Sequence, residues 1–267
     1  MEPMKRYSIF HIPLLAFFSK ALYRDVGLRW TGSGFAYLLL LLLLCWIPYM
    51  ILLDIGVSRV VRDIAPPIVS QVPTLTIVNG LAAANVPQPY TISDPETGKA
   101  LVIIDTTGSI ASLDKTDAVA LVTKTSAIVR KNRVETQTIA FNEIKDFTVD
   151  KDKVTRWLEA LKKFLMPIVF PIAVLGSFVY RIVQVLVYAA IGLLFANGCR
   201  SERTYLSLVR LSVVAVTPSV VLGTTLDMAG IAVPAFGVVY FLMTLVYLYL
   251  GVRAVAEEER QSVAQPG

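Results

Sequence analysis

One short motif in the sequence has the residue types for hydrolytic chemistry. Residues 103–108, IIDTTG, place Asp105 after an apolar run and before threonine and glycine. An aspartic-protease loop has a similar order, but the spacing here differs by one residue, and no second such loop supplies a partner carboxylate. A strand end followed by an Asx turn explains the motif equally well. We interpret Asp105 as a turn residue, with a hydrolase as the alternative.

Other residues that commonly carry chemistry are sparse. His11 is the only histidine, and no Cys, Asp or Glu stands close to it in sequence, so we interpret it as an interfacial side chain. The motifs GxxxxGK, HExxH and GxSxG, and a metal-type cysteine spacing, do not occur in the sequence. We therefore predict a protein that is not an enzyme and that needs neither a cofactor nor a metal.

Two charged residues in or beside long apolar stretches form a candidate intramembrane polar pair. Arg181 lies near the outer interface if its span begins at residue 177, or near the midplane if it begins at residue 165. We favour the first placement, in which the side chain snorkels to the interface. Asp227, at the end of another apolar stretch, is the acid that could pair with Arg181. We interpret this pair as a structural contact, because a transporter would show broken helices, an internal repeat or more polar residues.

The composition excludes a soluble enzyme and a disordered chain. Of the 267 residues, 55% are hydrophobic and 17% are charged, whereas about 25% of the residues in an ordinary soluble domain are charged. The mean hydropathy is +0.63. The net charge of +5 is too small for a dedicated nucleic-acid binder, so no nucleic-acid partner is expected.

Four apolar stretches are long enough to cross the hydrocarbon core of a bilayer, which takes about 20 residues of helix. They are residues 35–56, 164–197, 205–226 and 233–252, and the second of them begins with an outer stalk. We expect a cytoplasmic interfacial helix in residues 1–34 and an extracytoplasmic domain in 57–163. The remaining segments are a cytoplasmic loop at 198–204, an outer loop at 227–232 and a cytoplasmic tail at 253–267.

Lysines and arginines in the short segments set the predicted orientation, because such residues are retained on the cytoplasmic side. The loop 227–232 has none. Both termini are therefore predicted to be cytoplasmic, and the domain in 57–163 is predicted to lie outside. The basic residues on which this orientation depends are Lys5, Arg6, Lys20, Arg24, Arg29, Arg200, Arg203, Arg253 and Arg260.

The segment before the first span has helical periodicity. Its apolar stripe consists of Leu14, Phe17, Phe18, Ala21 and Leu22, and its opposite face carries Ser19, Lys20, Tyr23 and Arg24. We interpret it as an interfacial helix packed on the bundle. A docking helix for a cytosolic partner is the alternative.

The segment between the first two spans changes to strand periodicity after Pro66-Pro67, which we expect to end the first helix. TLTIVNGLA predicts a hairpin at Asn79-Gly80, and residues 94–98 predict a second hairpin. Three further runs, at 118–122, 127–131 and 134–141, complete a small, mainly antiparallel sheet. Asp150 or Asp152 then caps a helix that leads into the second span.

The predicted fold class is a membrane α-helical protein with four transmembrane helices. A small extracytoplasmic, mainly-β (α+β) domain is inserted between the first and second. Because that domain contains no cysteine, it must be stabilised by its core rather than by disulfides.

Several segments of the sequence, in the same order, resemble a bacterial integral-membrane family of unknown function, some members of which are labelled maltodextrin-utilisation protein YvdJ. The resemblance implies a multipass protein of the bacterial inner membrane, but no sugar site or mechanism. A more distant similarity, to Yip-type membrane proteins, concerns only the C-terminal half. The segments are FFSKALYRDVGLRWTGSGFAYLLLLLLL, PTLTIVNG, QPYTISD, LVIIDTTG and AAIGLLFANGCR.

Three functions follow as hypotheses from these features. The leading one is a non-enzymatic accessory or scaffold protein of the bacterial envelope, which presents its outer domain to a protein partner. The alternative is transport or lipid handling through the helical bundle, at Arg181 and Asp227. The third is a hydrolase that uses Asp105. The lipid bilayer is an expected partner in each case, and self-association is left open.

Overall fold

The computed structural model describes residues 7, 11–114, 116–132 and 135–264. Lys5, Arg6 and Val134, which the predictions above use, lie outside these residues. The chain divides into two compact units. The helical unit comprises Met1–Leu52 and Pro167–Gly267, and the β unit comprises Leu53–Met166.

Four helical stretches in the described part of the chain are long and apolar enough to cross a membrane. They are Phe35–Val69, Lys151–Cys199, Tyr205–Met228 and Phe236–Gln261. The helices are α1 (Ile12–Leu15), α2 (Lys20–Arg29), α3 (Phe35–Arg59), α4 (Ala65–Val69), α5 (Lys151–Cys199), α6 (Tyr205–Ala215), α7 (Thr217–Met228) and α8 (Phe236–Ala264). A π-helical turn, Val60–Ile64, joins α3 to α4.

Pro66 and Pro67 do not end the first long helical stretch, and that prediction was wrong by a few residues. Both prolines lie in the first turn of α4, and the helix ends at Val69. The π-helical turn Val60–Ile64 stands directly before α4, so the regular α-helical hydrogen-bond ladder is already interrupted where the two prolines lack a donor.

α5 continues through the predicted stalk without interruption. Its N-cap is Asp150, whose Oδ1 accepts a hydrogen bond from the backbone N–H of Lys153 at 2.8 Å, which selects between the two predicted caps. Pro167 and Pro171 lie inside the helix. Their spacing of four residues places both on one face, so the hydrogen bonds that they remove fall on the same side of the helix.

The third stretch is divided at Val216, just before Pro218. The backbone still bonds across the division, because the N–H of Val216 donates to the carbonyl of Ser212 at 3.0 Å. Next to it, the hydroxyl groups of Thr217 and Tyr37 are hydrogen-bonded at 3.0 Å and link α7 to α3.

α2 packs against α6 and α8 and supplies part of the core of the helical unit. The predicted apolar stripe was partly wrong: Tyr23, assigned to the polar face, is 4% exposed, whereas Leu14 and Phe18 are 72% and 83% exposed. The reason is that the stripe spans two helices. Ser19 caps α2 by accepting a hydrogen bond from the backbone N–H of Leu22 at 3.2 Å, and α1 ends before it.

Two glycines let α2 and α8 approach closely. A Cβ atom at Gly27 of α2 would lie 2.6 Å from Cγ2 of Val255, and one at Gly251 of α8 would lie 2.6 Å from Cδ1 of Tyr23. Separations this short cannot be accommodated without movement of the neighbouring side chain. The sequence pattern did not single out either glycine.

Three consecutive glutamates near the end of α8 pair with arginines of the helical unit. Arg24 of α2 contacts Glu258 at 3.2 Å, and Arg203, between α5 and α6, pairs with Glu259. Glu257 pairs within α8, with Arg253 at 2.9 Å. These contacts attach α2 and the segment before α6 to the last turns of α8.

The β unit contains two sheets rather than the single sheet that was predicted. The order of the first is β2-β1-β8 and that of the second is β3-β4-β5-β6-β7. All pairings are antiparallel except that of β4 with β5. The strands are β1 (Leu75–Val78), β2 (Leu81–Ala84), β3 (Tyr90–Ser93), β4 (Ala100–Ile104), β5 (Ala120–Val122), β6 (Ser126–Arg130), β7 (Thr136–Ala140) and β8 (Asp146–Val149).

Both predicted hairpins are confirmed. Val78 pairs with Leu81 across Asn79 and Gly80, whose φ values of 46° and 79° suit the type I′ turn that matches strand twist. In the second hairpin, Asp94 accepts hydrogen bonds from the backbone N–H of Glu96 at 3.0 Å and from the hydroxyl of Thr97 at 2.6 Å. The residues of each turn were therefore sufficient to predict both hairpins.

Candidate functional site

The helical unit contains a cavity of about 390 Å³ between α3, α5, α7 and α8. Its volume falls in the range of pockets for small ligands, about 300–1,000 Å³. Tyr180 and Asp227 are exposed and therefore lie at its mouth. The lining residues are Leu42, Cys45, Trp46, Tyr49, Ser177, Tyr180, Arg181, Ser219, Val220, Gly223, Thr224, Asp227, Phe236 and Tyr240.

Aromatic side chains from two helices that are distant in sequence form much of the lining. Trp46 and Tyr49 stand three residues apart on one face of α3, with ring centroids 5.3 Å apart. Phe236 and Tyr240 of α8 meet edge to face, with centroids 3.9 Å apart. The indole N–H of Trp46 donates to the hydroxyl of Ser177 on α5 at 3.0 Å, which fixes the ring against α5.

Arg181 of α5 is half-buried at this cavity. Its Nη1 donates a hydrogen bond to Oε1 of Gln184 at 2.5 Å, and Nε2 of Gln184 in turn donates to the hydroxyl of Tyr188 at 3.3 Å. Its guanidinium carbon lies 5.7 Å from the ring centroid of Tyr180. No other acceptor among the described residues takes a hydrogen bond from Arg181, so most of its five N–H donors remain available.

Asp227 lies near the end of α7 and is held by a different partner. The hydroxyl of Tyr49 donates to Oδ2 of Asp227 at 2.8 Å. The ion pairs formed within the described ranges do not include one between Arg181 and Asp227. The structure thus brings the two predicted residues to one cavity and gives each a neutral hydrogen-bond partner of its own.

Tyr240 leaves a polar atom at the cavity without a partner. Its hydroxyl oxygen is buried and forms no hydrogen bond with any described residue. It packs against Gly223, where an added Cβ atom would lie 2.8 Å from that oxygen. A buried hydroxyl without a partner is costly, so a bound polar ligand would stabilise this side chain.

The sequence predicted Arg181 and Asp227 but missed the rest of the cavity. Trp46 and Tyr49 did not stand out in the sequence, because aromatic residues are common near the ends of apolar spans. The sequence contains two signals of such a site. They are two aromatic pairs at helical spacing, and one cation and one acid within apolar helices. No local pattern shows that these four helices converge on them.

Asp105 belongs to the β unit and directly follows β4. Its side chain is fully buried, and its two carboxylate oxygens accept four hydrogen bonds. The donors are the backbone N–H and hydroxyl of Thr107, at 2.9 and 2.5 Å, the hydroxyl of Ser109 at 2.7 Å and the N–H of Ile110 at 2.5 Å. This is the geometry of a turn-forming carboxylate, as the favoured interpretation expected.

The hydrogen bonds also set the charge state of Asp105. Burial raises the pKa of a carboxyl group, but the donors of Thr107, Ser109 and Ile110 outweigh this effect and hold the pKa of Asp105 well below its ordinary value. The group is therefore ionised at neutral pH. An ionised carboxylate with both oxygens occupied has no proton to donate to a substrate.

The described residues contain no group of three or more His, Cys, Asp or Glu side chains that could hold a metal ion. His11 precedes α1 and is exposed.

A family model described as "Protein of unknown function (DUF1189)" matches residues 10–252. The chain belongs to this family. The match covers both sheets and every helix that lines the cavity, although it ends within α8. Membership of a family of unknown function is thus confirmed. No curated protein and no solved structure matches the chain significantly.

Proposed function

We propose that this DUF1189 protein is a multipass protein of the bacterial inner membrane that binds the headgroup of a membrane lipid in the cavity of its helical unit. Both termini are cytoplasmic and the β unit lies outside, in keeping with the distribution of lysine and arginine. The bacterial setting rests on the resemblance to the family with members labelled YvdJ.

The surface of the helical unit supports insertion into a bilayer. Apolar side chains repeat along the outer faces of α5 and α8 and are 52–69% exposed, which is costly in water over so many residues. Lipid chains would cover this surface. The residues are Leu175, Val179, Val183, Val187, Leu194, Val238, Leu242 and Val246.

The half-buried Arg181 is the observation that carries the proposal of a headgroup site. A guanidinium group binds phosphate oxygens through paired N–H donors, and most donors of Arg181 have no acceptor among the described residues. A charge in an apolar bundle is costly unless it is paired or faces a polar cavity, and it therefore indicates a functional site. Phospholipids supply the phosphate, and the exposed apolar helices beside the cavity suit their chains.

The thiol of Cys45 allows a direct test, because it lines the cavity and the chain has only one other cysteine, Cys199. In a Cys199→Ser background, a short-chain phosphatidylethanolamine or phosphatidylglycerol should slow maleimide alkylation of Cys45 by about tenfold or more. Arg181→Leu should remove this protection. Arg253→Leu, which removes an exposed arginine outside the cavity, should retain it.

The alkylation rates are measured in delipidated protein in a detergent with an uncharged headgroup. Equal rates with and without either lipid in the unsubstituted cavity would contradict the proposal. If either lipid still slows alkylation of Cys45 in Arg181→Leu, the phosphate does not bind at the guanidinium.

The accessory role predicted from the sequence remains a second candidate, and one feature of the β unit favours it. β7 is at the edge of the five-stranded sheet, all its residues are exposed, and none is charged. An edge without charged residues is open to pairing with a strand of another protein. Gln137→Lys with Thr138→Lys should then abolish any stable complex that co-purifies with the chain; a complex that survives would exclude this edge as the contact.

A further inference from the structure

We infer that the cavity selects a zwitterionic phospholipid headgroup of the phosphoethanolamine type, with the phosphate at Arg181 and the ammonium group at Asp227. This inference deepens the proposed function and rests on it. It concerns the second charge of the site, which binding of a phosphate alone does not use.

Arg181 and Asp227 line one cavity without forming an ion pair. Two opposite charges with a purely structural role in an apolar bundle would be expected to meet directly, because a charge there is costly unless it is paired. Here Gln184 holds Arg181, and the hydroxyl of Tyr49 holds Asp227. Neutral partners orient the two groups and leave both charges available to a ligand.

The surroundings of Asp227 suit an ammonium group. Oδ2 is taken by Tyr49, whereas Oδ1 receives no hydrogen bond from the described residues. Aromatic rings line the same cavity, and ammonium groups are attracted to the faces of such rings. A free carboxylate oxygen among aromatic rings is an arrangement that binds an ammonium group, and a primary one can also donate a hydrogen bond to Oδ1.

The hydroxyl of Tyr240 also suits a phospholipid. It is buried at the cavity without a partner in the described structure, and it is a donor. The glycerol-ester and phosphate oxygens of a phospholipid are acceptors. A lipid whose phosphate binds Arg181 would bring such acceptors into the cavity and satisfy this hydroxyl.

A lipid suits the site better than a soluble zwitterion. Val239 lies on the side of α8 that carries the lining residues Phe236 and Tyr240, and it is 45% exposed. An apolar side chain beside the cavity would contact an acyl chain, whereas a soluble compound would leave it uncovered.

The test compares three probes in the Cys45 protection assay: dihexanoyl phosphatidylethanolamine, dihexanoyl phosphatidylglycerol and glycerophosphoethanolamine, which has no acyl chains. The cavity should bind the ethanolamine lipid about tenfold more tightly than the glycerol lipid, which lacks the ammonium group. Asp227→Asn should abolish this preference, and the glycerol lipid should still protect Cys45, because its phosphate does not need the carboxylate. Asp54→Asn, which removes an exposed acid of α3 outside the cavity, should keep the preference.

The outcomes separate this inference from the function on which it rests. If neither lipid protects Cys45, the proposed headgroup site itself fails. If both lipids protect it equally, or if Asp227→Asn keeps the preference, the zwitterion inference is overturned while the headgroup site stands. Equal affinity for glycerophosphoethanolamine and for dihexanoyl phosphatidylethanolamine would overturn the assignment to a lipid. Retained binding of the glycerol lipid shows that the Asp227→Asn protein is folded.

Discussion

Replacement of Gly251 by leucine is expected to lower the free energy of unfolding of the helical unit by about 1–3 kcal/mol. A Cβ atom at this position would already lie 2.6 Å from Cδ1 of Tyr23, and leucine adds three further carbons. Tyr23 cannot easily move, because it is 4% exposed and its hydroxyl donates to the carbonyl of Ala16 at 2.9 Å. The larger side chain should therefore push α2 away from α8.

The matched control is Gly237→Leu on the same helix. A Cβ atom at Gly237 would meet nothing within 4 Å, so leucine there gains helix propensity without a clash. The melting temperature of each variant, measured in one detergent, should fall for Gly251→Leu and stay the same or rise for Gly237→Leu. Equal melting temperatures would show that α2 and α8 are not packed as closely as the structure places them.

Asp105→Asn is expected to destabilise the turn after β4 at neutral pH by about 1–3 kcal/mol. The carboxylate accepts hydrogen bonds from Thr107, Ser109 and Ile110, and a single amide oxygen cannot replace both of its oxygens. Hydrogen exchange of residues 103–113 in the full-length protein measures this loss as reduced protection. Asp94→Asn is the control, because that turn has similar donors but is exposed, so that water can replace the carboxylate.

The loss of stability caused by Asp105→Asn should be largest at neutral pH and should shrink as the pH falls. The pKa of Asp105 is depressed in the folded chain, so its stabilising contribution is complete above the pKa of the unfolded chain, about 3.9. It is lost as the pH falls below that value towards the folded pKa. Protection factors should therefore differ most between the wild type and Asp105→Asn at neutral pH and converge in strong acid. A constant difference down to low pH would contradict the assignment of an ionised, hydrogen-bonded carboxylate.

Local signals in the sequence were sufficient for much of the fold. The Asn79-Gly80 hairpin followed from turn chemistry between alternating strands, and the four long helices followed from apolar length. The division of the β unit into two sheets was missed because β8 is a short strand, DFTV, whose pairing with β1 spans about 70 residues of chain. No local pattern encodes a pairing of that separation.

The residues of the cavity could likewise be predicted from the sequence only in part. Arg181 and Asp227 were recognisable from the sequence because charges in apolar helices are rare. The rings of Trp46 and Tyr240 also lie in apolar helices, where aromatic residues are common and carry no such signal. Their role depends on the packing of α3 against α5 at Ser177 and of α8 against α7 at Gly223, and only the three-dimensional structure shows that packing.

Native mass spectrometry of the protein purified from cells in detergent tests the central claim most directly, because it detects retained lipid without a chosen probe. We expect the wild-type chain to retain one phospholipid whose headgroup carries an ammonium group, and we expect Arg181→Leu to lose it while Arg253→Leu retains it. A wild-type chain without lipid, or equal retention by Arg181→Leu and Arg253→Leu, would contradict the assignment of the cavity as a headgroup site.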